Sequence, residues 1–231
     1  ATATLPGLGR PQPITARPVA TPLTVTGIGR KRIVYFATGR YLGNSDLSDS
    51  GAGGSAWQQS IYGLMDKDTG VSLGDVRASG TLVQQTLSAL APGKRAVSKN
   101  PVDWTARNGF FIDLLPNIDA IPTDGERVVL DLQLVLGTLV VTSTIPEKGG
   151  CTPGGFSYQY NLDFRTGGYV GNSAPAGGSG FKTGLIVGTA IVQTSDGSIK
   201  AINKSYTGEN TPANVGIEPF TQMKRFSYRE R

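Results

Sequence analysis

The chain has 231 residues, of which 38% are hydrophobic and 17% are charged, and its net charge at pH 7 is +5. It contains no histidine and one cysteine, which excludes Ser-His-Asp and Cys-His nucleophilic systems, histidine metal sites and an internal disulfide. The basic residues stand in scattered pairs, and no apolar run is long enough for a transmembrane helix, so we expect neither nucleic-acid binding nor direct membrane insertion.

Many glycines (32) and prolines (14) favour an all-β fold with frequent turns. In residues 1–22 closely spaced prolines deny hydrogen-bond donors to a strand ladder, which predicts an extended connector with a short strand near residues 14–19. Residues 33–37 form a continuous apolar run that is typical of a strand buried on both faces. In the following polar loop, Asp46 and Asp49 offer too few oxygen ligands for calcium, so we expect a solvated turn.

The next segments alternate strands with turns. Residues 58–65 and 109–114 are predicted strands, and residues 79–90 are ambiguous but favour a strand. Residues 126–136 alternate apolar and mixed positions, and Gly137 with Thr138 predicts a type II′ turn before a returning strand at residues 139–145. Asp196 with Gly197 predicts a second hairpin between residues 186–194 and 199–202.

An Asp-x-x-Thr-Gly pattern occurs twice, each time after a predicted strand with tyrosine and leucine. Its members are Asp66, Thr69 and Gly70, and Asp163, Thr166 and Gly167. The aspartate can accept main-chain hydrogen bonds, and the glycine can adopt the positive φ that ends such a turn. The two copies are either unrelated turns or blade-ending turns of a β-propeller. Their spacing of 97 residues is close to two blade periods of roughly 40–50 residues each, which favours the propeller.

A propeller needs about 4–8 blades to close, and this chain is too short to supply them with its long loops. We therefore expect residues 23–231 to be the C-terminal blades of a modified β-propeller, completed by upstream sequence.

Ordered segments give a resemblance to a known family. They are residues 13–19, 34–42, 59–64, 82–86, 100–104, 109–114, 125–167 and 225–230, of which residues 125–167 are the most specific. With these segments the chain resembles the C-terminal region of the PilY-type tip adhesin and assembly family of type IV pili. The resemblance covers nearly all of residues 13–231.

The resemblance implies a large secreted protein that is not an enzyme. Such a protein acts with minor pilins at the pilus tip, after passing the periplasm and the outer membrane. It supports pilus assembly, twitching motility and adhesion to a host or abiotic surface ligand. Family members often carry an Asp-x-Asp-x-Asn calcium loop, but residues 169–180 lack that pattern. No cofactor is therefore assigned to this chain, and calcium is expected in the upstream part of the parent protein.

Loop residues are the candidates for contacts. Trp57 and Tyr169, like Trp104 and Phe156, lie near loops and either anchor a partner or belong to the core. Cys151 either forms a disulfide with an absent partner or is a buried free thiol.

Two other functional classes remain open. A glycan-binding or structural module could use Trp57 beside the polar Gln58 and Gln59. A quinone-dependent dehydrogenase propeller also repeats Asp-x-x-Thr-Gly turns, but its turns usually continue with a tryptophan shortly after the glycine. No tryptophan follows Gly70 or Gly167 closely, which makes this class the weaker alternative.

Overall fold

The computed structural model describes residues 3–4, 11–42, 46, 58–68, 70, 73–77, 80–114, 125–147, 154–171 and 180–217. Seventeen β-strands lie in these residues. They are β1 (Ala3–Thr4), β2 (Pro11–Gln12), β3 (Val19–Val25), β4 (Gly29–Ala37), β5 (Gln59–Asp66), β6 (Leu82–Gln85), β7 (Leu87–Ala91), β8 (Lys94–Val97), β9 (Gly109–Leu114), β10 (Gln133–Val135), β11 (Thr138–Thr142), β12 (Ile145–Pro146), β13 (Gly155–Asp163), β14 (Gly180–Gly184), β15 (Ile186–Gln193), β16 (Ile199–Ser205) and β17 (Asn210–Asn214).

The described strands form three main sheets and a two-stranded β1-β2 ladder. The first sheet has the order β3-β4-β5-β9-β6, and the second has the order β10-β11-β13-β14-β8-β7, with β12 beside β13. The third sheet has the order β15-β16-β17. Within these sheets neighbouring strands are antiparallel, apart from the parallel β6-β9 pair. The expected all-β fold class is confirmed.

The first two sheets share an internal repeat of blade-like form. Strands β3-β4-β5-β9 and strands β10-β11-β13-β14 are both antiparallel and follow the same order. The third strand of each unit ends at the aspartate of the repeated motif, namely Asp66 and Asp163. The spacing of 97 residues is thus one step between neighbouring sheets and not the two blade periods that the sequence predicted. The step is long because β6, β7 and β8 lie inside it.

The sheets pack face to face in chain order. Tyr35 and Phe110 of the first sheet share the main core with Tyr160 and Leu162 of the second sheet. A smaller cluster, which includes Val140 and Ile199, lies between the second and third sheets. The fold is therefore a stack of sheets, as in part of a modified β-propeller, and the described sheets do not themselves close a ring.

Two expectations for the first sheet need correction. Strand β3 begins at Val19, so the boundary expected at residue 22 falls inside a strand, and Gln12 and Ala16 of the expected connector are buried. In β4, Ile33 and Tyr35 are fully buried, whereas the alternating residues Val34 and Phe36 are only half-buried. The run expected to be buried on both faces therefore has one fully covered face, because only that face meets the second sheet.

The hairpin of the second sheet turns one residue earlier than predicted. Its two turn residues are Leu136 and Gly137, with φ of 44° and 83°, which is a type I′ pattern and not the expected type II′. Thr138 already pairs with Val135, and its hydroxyl donates to the carbonyl of Gly216 at 2.6 Å. Before the turn, the regular strand is limited to β10, which is shorter than the alternating segment at residues 126–136 that was predicted. The predictions for β5, β6, β7, β9 and the β15-β16 hairpin are confirmed.

Candidate functional site

The Asp163 motif forms a tight turn at the end of β13. The carbonyl of Asp163 accepts hydrogen bonds from the main-chain N–H groups of Thr166 at 3.2 Å and Gly167 at 2.7 Å. Its carboxylate accepts another from the main chain of Arg165 at 2.9 Å, and Gly167 has a φ of 71°. The turn thus satisfies its own polar groups by local chemistry that the motif encodes.

Three side chains from other segments hold this turn from outside. They donate to three consecutive carbonyls, and each donor is largely buried. The pairs are Tyr35 Oη to Phe164 O at 2.8 Å, Trp104 Nε1 to Arg165 O at 3.0 Å, and Gln85 Nε2 to Thr166 O at 2.8 Å. Burial and the nearby Asp163 charge raise the pKa of Tyr35, which keeps its hydroxyl protonated as a donor. The turn is therefore docked on the first sheet.

Close packing completes the docking. A methyl group at Gly167 would lie 2.3 Å from Cδ2 of Phe110, so only glycine fits against this ring. Trp104, which the sequence left between core and contact roles, is 7% exposed and packs in the core. Neither Phe110 nor Trp104 was predicted to contact this turn, because both are remote from the motif along the chain.

The Asp66 motif has different surroundings. Its carboxylate accepts a hydrogen bond from the main chain of Asp68 at 2.9 Å, and Gly70 has a φ of 65°. Lys67, Asp68 and Gly70 are exposed, and a methyl group at Gly70 would meet no atom within 4 Å. Thr69 lies outside the described residues. The same motif therefore forms one docked turn and one open turn.

A buried ionic cluster ties the second sheet together. The Arg95 guanidinium donates to Glu126 at 2.5 Å and to the Tyr160 hydroxyl at 2.6 Å, and it lies 3.8 Å from the centre of the Tyr158 ring. Tyr160 and Ser143 also donate to the same carboxylate, at 2.8 Å and 2.6 Å. Since Arg95 and Glu126 have fully buried side chains, these groups cross-link remote strands.

The protonation states follow from this arrangement. Burial by itself lowers the pKa of Arg95. The oxygens of Tyr160 and Glu126 raise this pKa by more than burial lowers it, so the guanidinium stays charged. Burial, followed by the Glu126 charge, raises the pKa of Tyr160. The cluster is thus a fixed set of donors around one carboxylate, which suits a structural role.

A second buried charge is the carboxylate of Asp46. Its carboxylate accepts from Arg40 Nε and the main chain of Leu42, both at 2.7 Å. The Arg127 guanidinium donates to the carbonyls of Arg40 at 2.8 Å and Asp46 at 2.9 Å. Asp46 is 2% exposed, so the expected solvated turn is wrong at this residue, while Asp49 lies outside the described residues. The sequence signal for these two clusters is the adjacent charged pair Glu126 and Arg127 at the start of an apolar segment.

The remaining candidates are placed as follows. Tyr169 is half-buried, packs against the main core and lies 5.0 Å from the ammonium of Lys99. Trp57 and Cys151 lie outside the described residues. In the part of the chain that the structure describes, no three His, Cys, Asp or Glu residues are grouped for a metal ion. The described part also has no helix that is long and apolar enough to cross a membrane.

Comparisons with known proteins bear on this fold. No family model matches the chain. A type IV pilus biogenesis factor, the PilY1 homolog of Xylella fastidiosa, is 25% identical in an alignment of 218 positions that covers 89% of this chain and 14% of that protein. The crystal structure of the Pseudomonas aeruginosa PilY1 C-terminal domain superposes with a TM-score of 0.65 at 23% identity, covering 93% of this chain and 47% of that one. The chain has the fold of the PilY1 C-terminal domain.

The resemblance to a PilY-type C-terminal region is thereby confirmed. The chain spans only 14% of the length of the curated PilY1 homolog and 47% of the solved PilY1 domain.

Proposed function

We propose that this chain is part of a type IV pilus biogenesis factor and acts as a non-enzymatic scaffold at the pilus tip. The observation that carries the proposal is similarity over 89% of the chain to a protein named as such a factor. The PilY1-like fold supports it independently of the sequence identity. In this role the parent protein is secreted, reaches the cell surface, works with minor pilins, and promotes adhesion and twitching motility.

The physical features of the chain suit a scaffold. The docked Asp163 turn fixes the second sheet against the first through three side-chain donors. The Arg95–Glu126 pair links β8 to Glu126, and Arg127 donates to the carbonyl of Asp46. A rigid stack of sheets holds the residues that it carries at fixed relative positions, which suits contact with a pilin or a surface ligand.

The experiment uses the full-length parent protein in its own bacterium. A strain that lacks the gene is complemented with the intact protein, with a version lacking this region, or with the surface variant Lys204→Gln as a matched control. We expect loss of the region to reduce sheared surface pili, twitching zones and adhesion, and to abolish co-purification of minor pilins. The control is expected to behave as the intact protein.

Normal pili, motility and adhesion without this region would refute the proposed role. Full-length protein that reaches the surface but never co-purifies with minor pilins would refute the assembly partner. Binding to a glycan array that Trp57→Ala abolishes would instead favour the glycan-binding alternative.

We also propose that calcium is held by the upstream part of the parent and not by this chain. The proposal rests on the sequence of residues 169–180, which does not carry the Asp-x-Asp-x-Asn pattern of the family's calcium loop. Calorimetric titration with calcium chloride is expected to show binding to the full-length protein and none to the isolated chain. Binding to the isolated chain would contradict the proposal.

A further inference from the structure

The β3-β4 hairpin projects beyond the rest of the first sheet. In the second sheet, Thr138 directly follows the hairpin turn and pairs with Asp163 at the end of β13. The equivalent pair in the first sheet joins Arg32 to Asp66. In the first sheet the hairpin turn comes later, because β3 and β4 stay paired beyond Arg32 as far as Val25 and Gly29. Relative to the internal repeat, this hairpin is therefore longer at its tip.

The extension carries a dense group of cations. Arg30, Lys31 and Arg32 are consecutive on β4, and they line a cleft of about 330 Å³. The other lining residues are Ala20, Thr21, Pro22 and Asp68. Arg30 and Arg32 lie two residues apart on one strand, so they point to the same side of the sheet. We call this surface the basic cleft.

Neighbouring carboxylates neutralise these cations only weakly. Lys31 Nζ lies 3.9 Å from Asp68, and the Arg32 guanidinium lies 3.7 Å from Asp66. The Arg32 and Asp66 side chains are 64% and 40% exposed, and such an exposed pair contributes little and is screened by salt. In the other pair Lys31 is 26% and Asp68 59% exposed, and the separation of 3.9 Å is long for an ion pair. The cations therefore retain the capacity to bind a further anion.

The internal repeat also indicates that this end of the first sheet is a polar surface. In the docked turn of the second sheet, the residue after the aspartate is Phe164, which is 4% exposed. The equivalent residue of the open turn is Lys67, which is exposed. A lysine at this position does not suit burial against an apolar layer, whereas it adds positive charge beside the basic cleft.

We propose that the basic cleft binds an extended acidic peptide segment of a partner protein. Residues two apart on an extended chain are about 7 Å apart, so carboxylates at alternate peptide positions match the spacing of Arg30 and Arg32. Guanidinium groups bind carboxylates through paired hydrogen bonds. The small side chains of Ala20 and Pro22 leave room for a peptide backbone beside β3, which is an edge strand among the described residues.

The lining of the cleft distinguishes a peptide from a polysaccharide. No aromatic side chain is among its lining residues, so it offers no platform for stacking of sugar rings. The proposed peptide binding does not depend on the proposed pilus role, because binding of a defined peptide can be measured on the isolated chain.

The test uses the intact 231-residue chain and a fluorescein-labelled peptide of alternating Glu and Thr. Fluorescence anisotropy gives its affinity at low and moderate salt, with the Gln-for-Glu peptide as a probe control. We expect R30Q/R32Q to weaken binding about tenfold. We expect D68N to strengthen it a few-fold, because this change removes a negative charge from the lining of the cleft, while Asn tolerates the φ of 54° found there. The matched control K200Q/K204Q removes two charges from the third sheet and is expected to leave the affinity unchanged.

Opposite signs for R30Q/R32Q and D68N would be difficult to obtain from general loss of structure. Equal binding of the Glu and Gln peptides, or an equal effect of K200Q/K204Q, would overturn the proposal. So would unchanged or weaker binding by D68N, or no binding at any salt concentration. Binding of heparin that R30Q/R32Q removes, without binding of the Glu peptide, would replace the acidic peptide with an anionic polysaccharide.

Discussion

The contrast between the docked and the open turn can be tested with one substitution made in both. Gly167→Ala and Gly70→Ala change the same position of the same motif. Both glycines have a positive φ, of 71° and 65°, so alanine is strained to a similar extent in either turn. Only Gly167 faces a neighbouring ring, because its new methyl group would lie 2.3 Å from Phe110.

The expected magnitudes follow from these two contributions. An alanine in the left-handed region costs about 1–2 kcal/mol, which is the full effect that we expect for Gly70→Ala. Forcing an additional methyl group into a packed core costs about 1–3 kcal/mol more. We therefore expect Gly167→Ala to lower the free energy of unfolding by about 2–5 kcal/mol.

Urea unfolding followed by circular dichroism measures both changes, and fluorescence reports on Trp104, whose indole donates to the same turn. A further variant, Phe110→Leu, makes room for the methyl group. The combination Gly167→Ala/Phe110→Leu is expected to cost less than the sum of its single changes. Equal losses for Gly167→Ala and Gly70→Ala, or strict additivity with Phe110→Leu, would refute the inference that contact with the first sheet distinguishes the turns.

Removing the charge of Glu126 by E126Q leaves Arg95 buried without its counter-ion, and we expect urea titrations to show a loss of about 3–5 kcal/mol. R95M/E126Q is expected to recover part of this loss, and additive effects of R95M and E126Q would contradict the pairing. Burial raises the pKa of Tyr160, so the chain is expected to lose stability as the pH rises above about 10, where only the unfolded phenol ionises. A urea midpoint that stays flat from pH 8 to 11 would contradict this. Hydrogen bonds from Thr194 and Ser198 lower the pKa of Asp196 to about 2, so its stabilising effect is present above pH 3.8 and lost as the pH falls towards 2. NMR titration is expected to place the midpoint near 2, and to place it higher in Thr194→Val; a midpoint near 3.8 in the unchanged chain would contradict the hydrogen-bonded geometry.

Local patterns account for the elements that the sequence predicted well. Strands β5 and β9 have the apolar and aromatic content of buried strands, and the β15-β16 hairpin has a turn with glycine at a φ of 83°. The sequence prediction misplaced the β10-β11 turn, because a type II′ turn has glycine at the first of its two turn residues. The structure instead puts Leu136 at a φ of 44°, an unfavourable position, while Thr138 is buried and bonded to Gly216. A tertiary contact therefore outweighed the local preference.

The site was less accessible to prediction, because its contacts join distant positions. The motif predicted the Asp163 turn, but Tyr35 lies 128 residues before the aspartate, and the turn carbonyls bear no sequence signal for a donor. The Arg95–Glu126 pair likewise joins residues 31 positions apart. The spacing of the two motifs misled for a related reason: periodic spacing assumes uniform blades, whereas β6, β7 and β8 are inserted between the third strands of two neighbouring sheets.

The two copies of the motif separate what specifies a turn from what specifies its surroundings. Aspartate and glycine are common to both, and both turns show the aspartate hydrogen bond and the positive φ. The residues that differ are the two directly after the aspartate, since the threonine is also shared; the first of them is the buried Phe164 in one copy and the exposed Lys67 in the other. Burial of an aromatic side chain favours docking, whereas burial of an unpaired lysine opposes it. The intervening residues therefore match the surroundings of each turn, one buried between sheets and the other exposed beside the basic cleft.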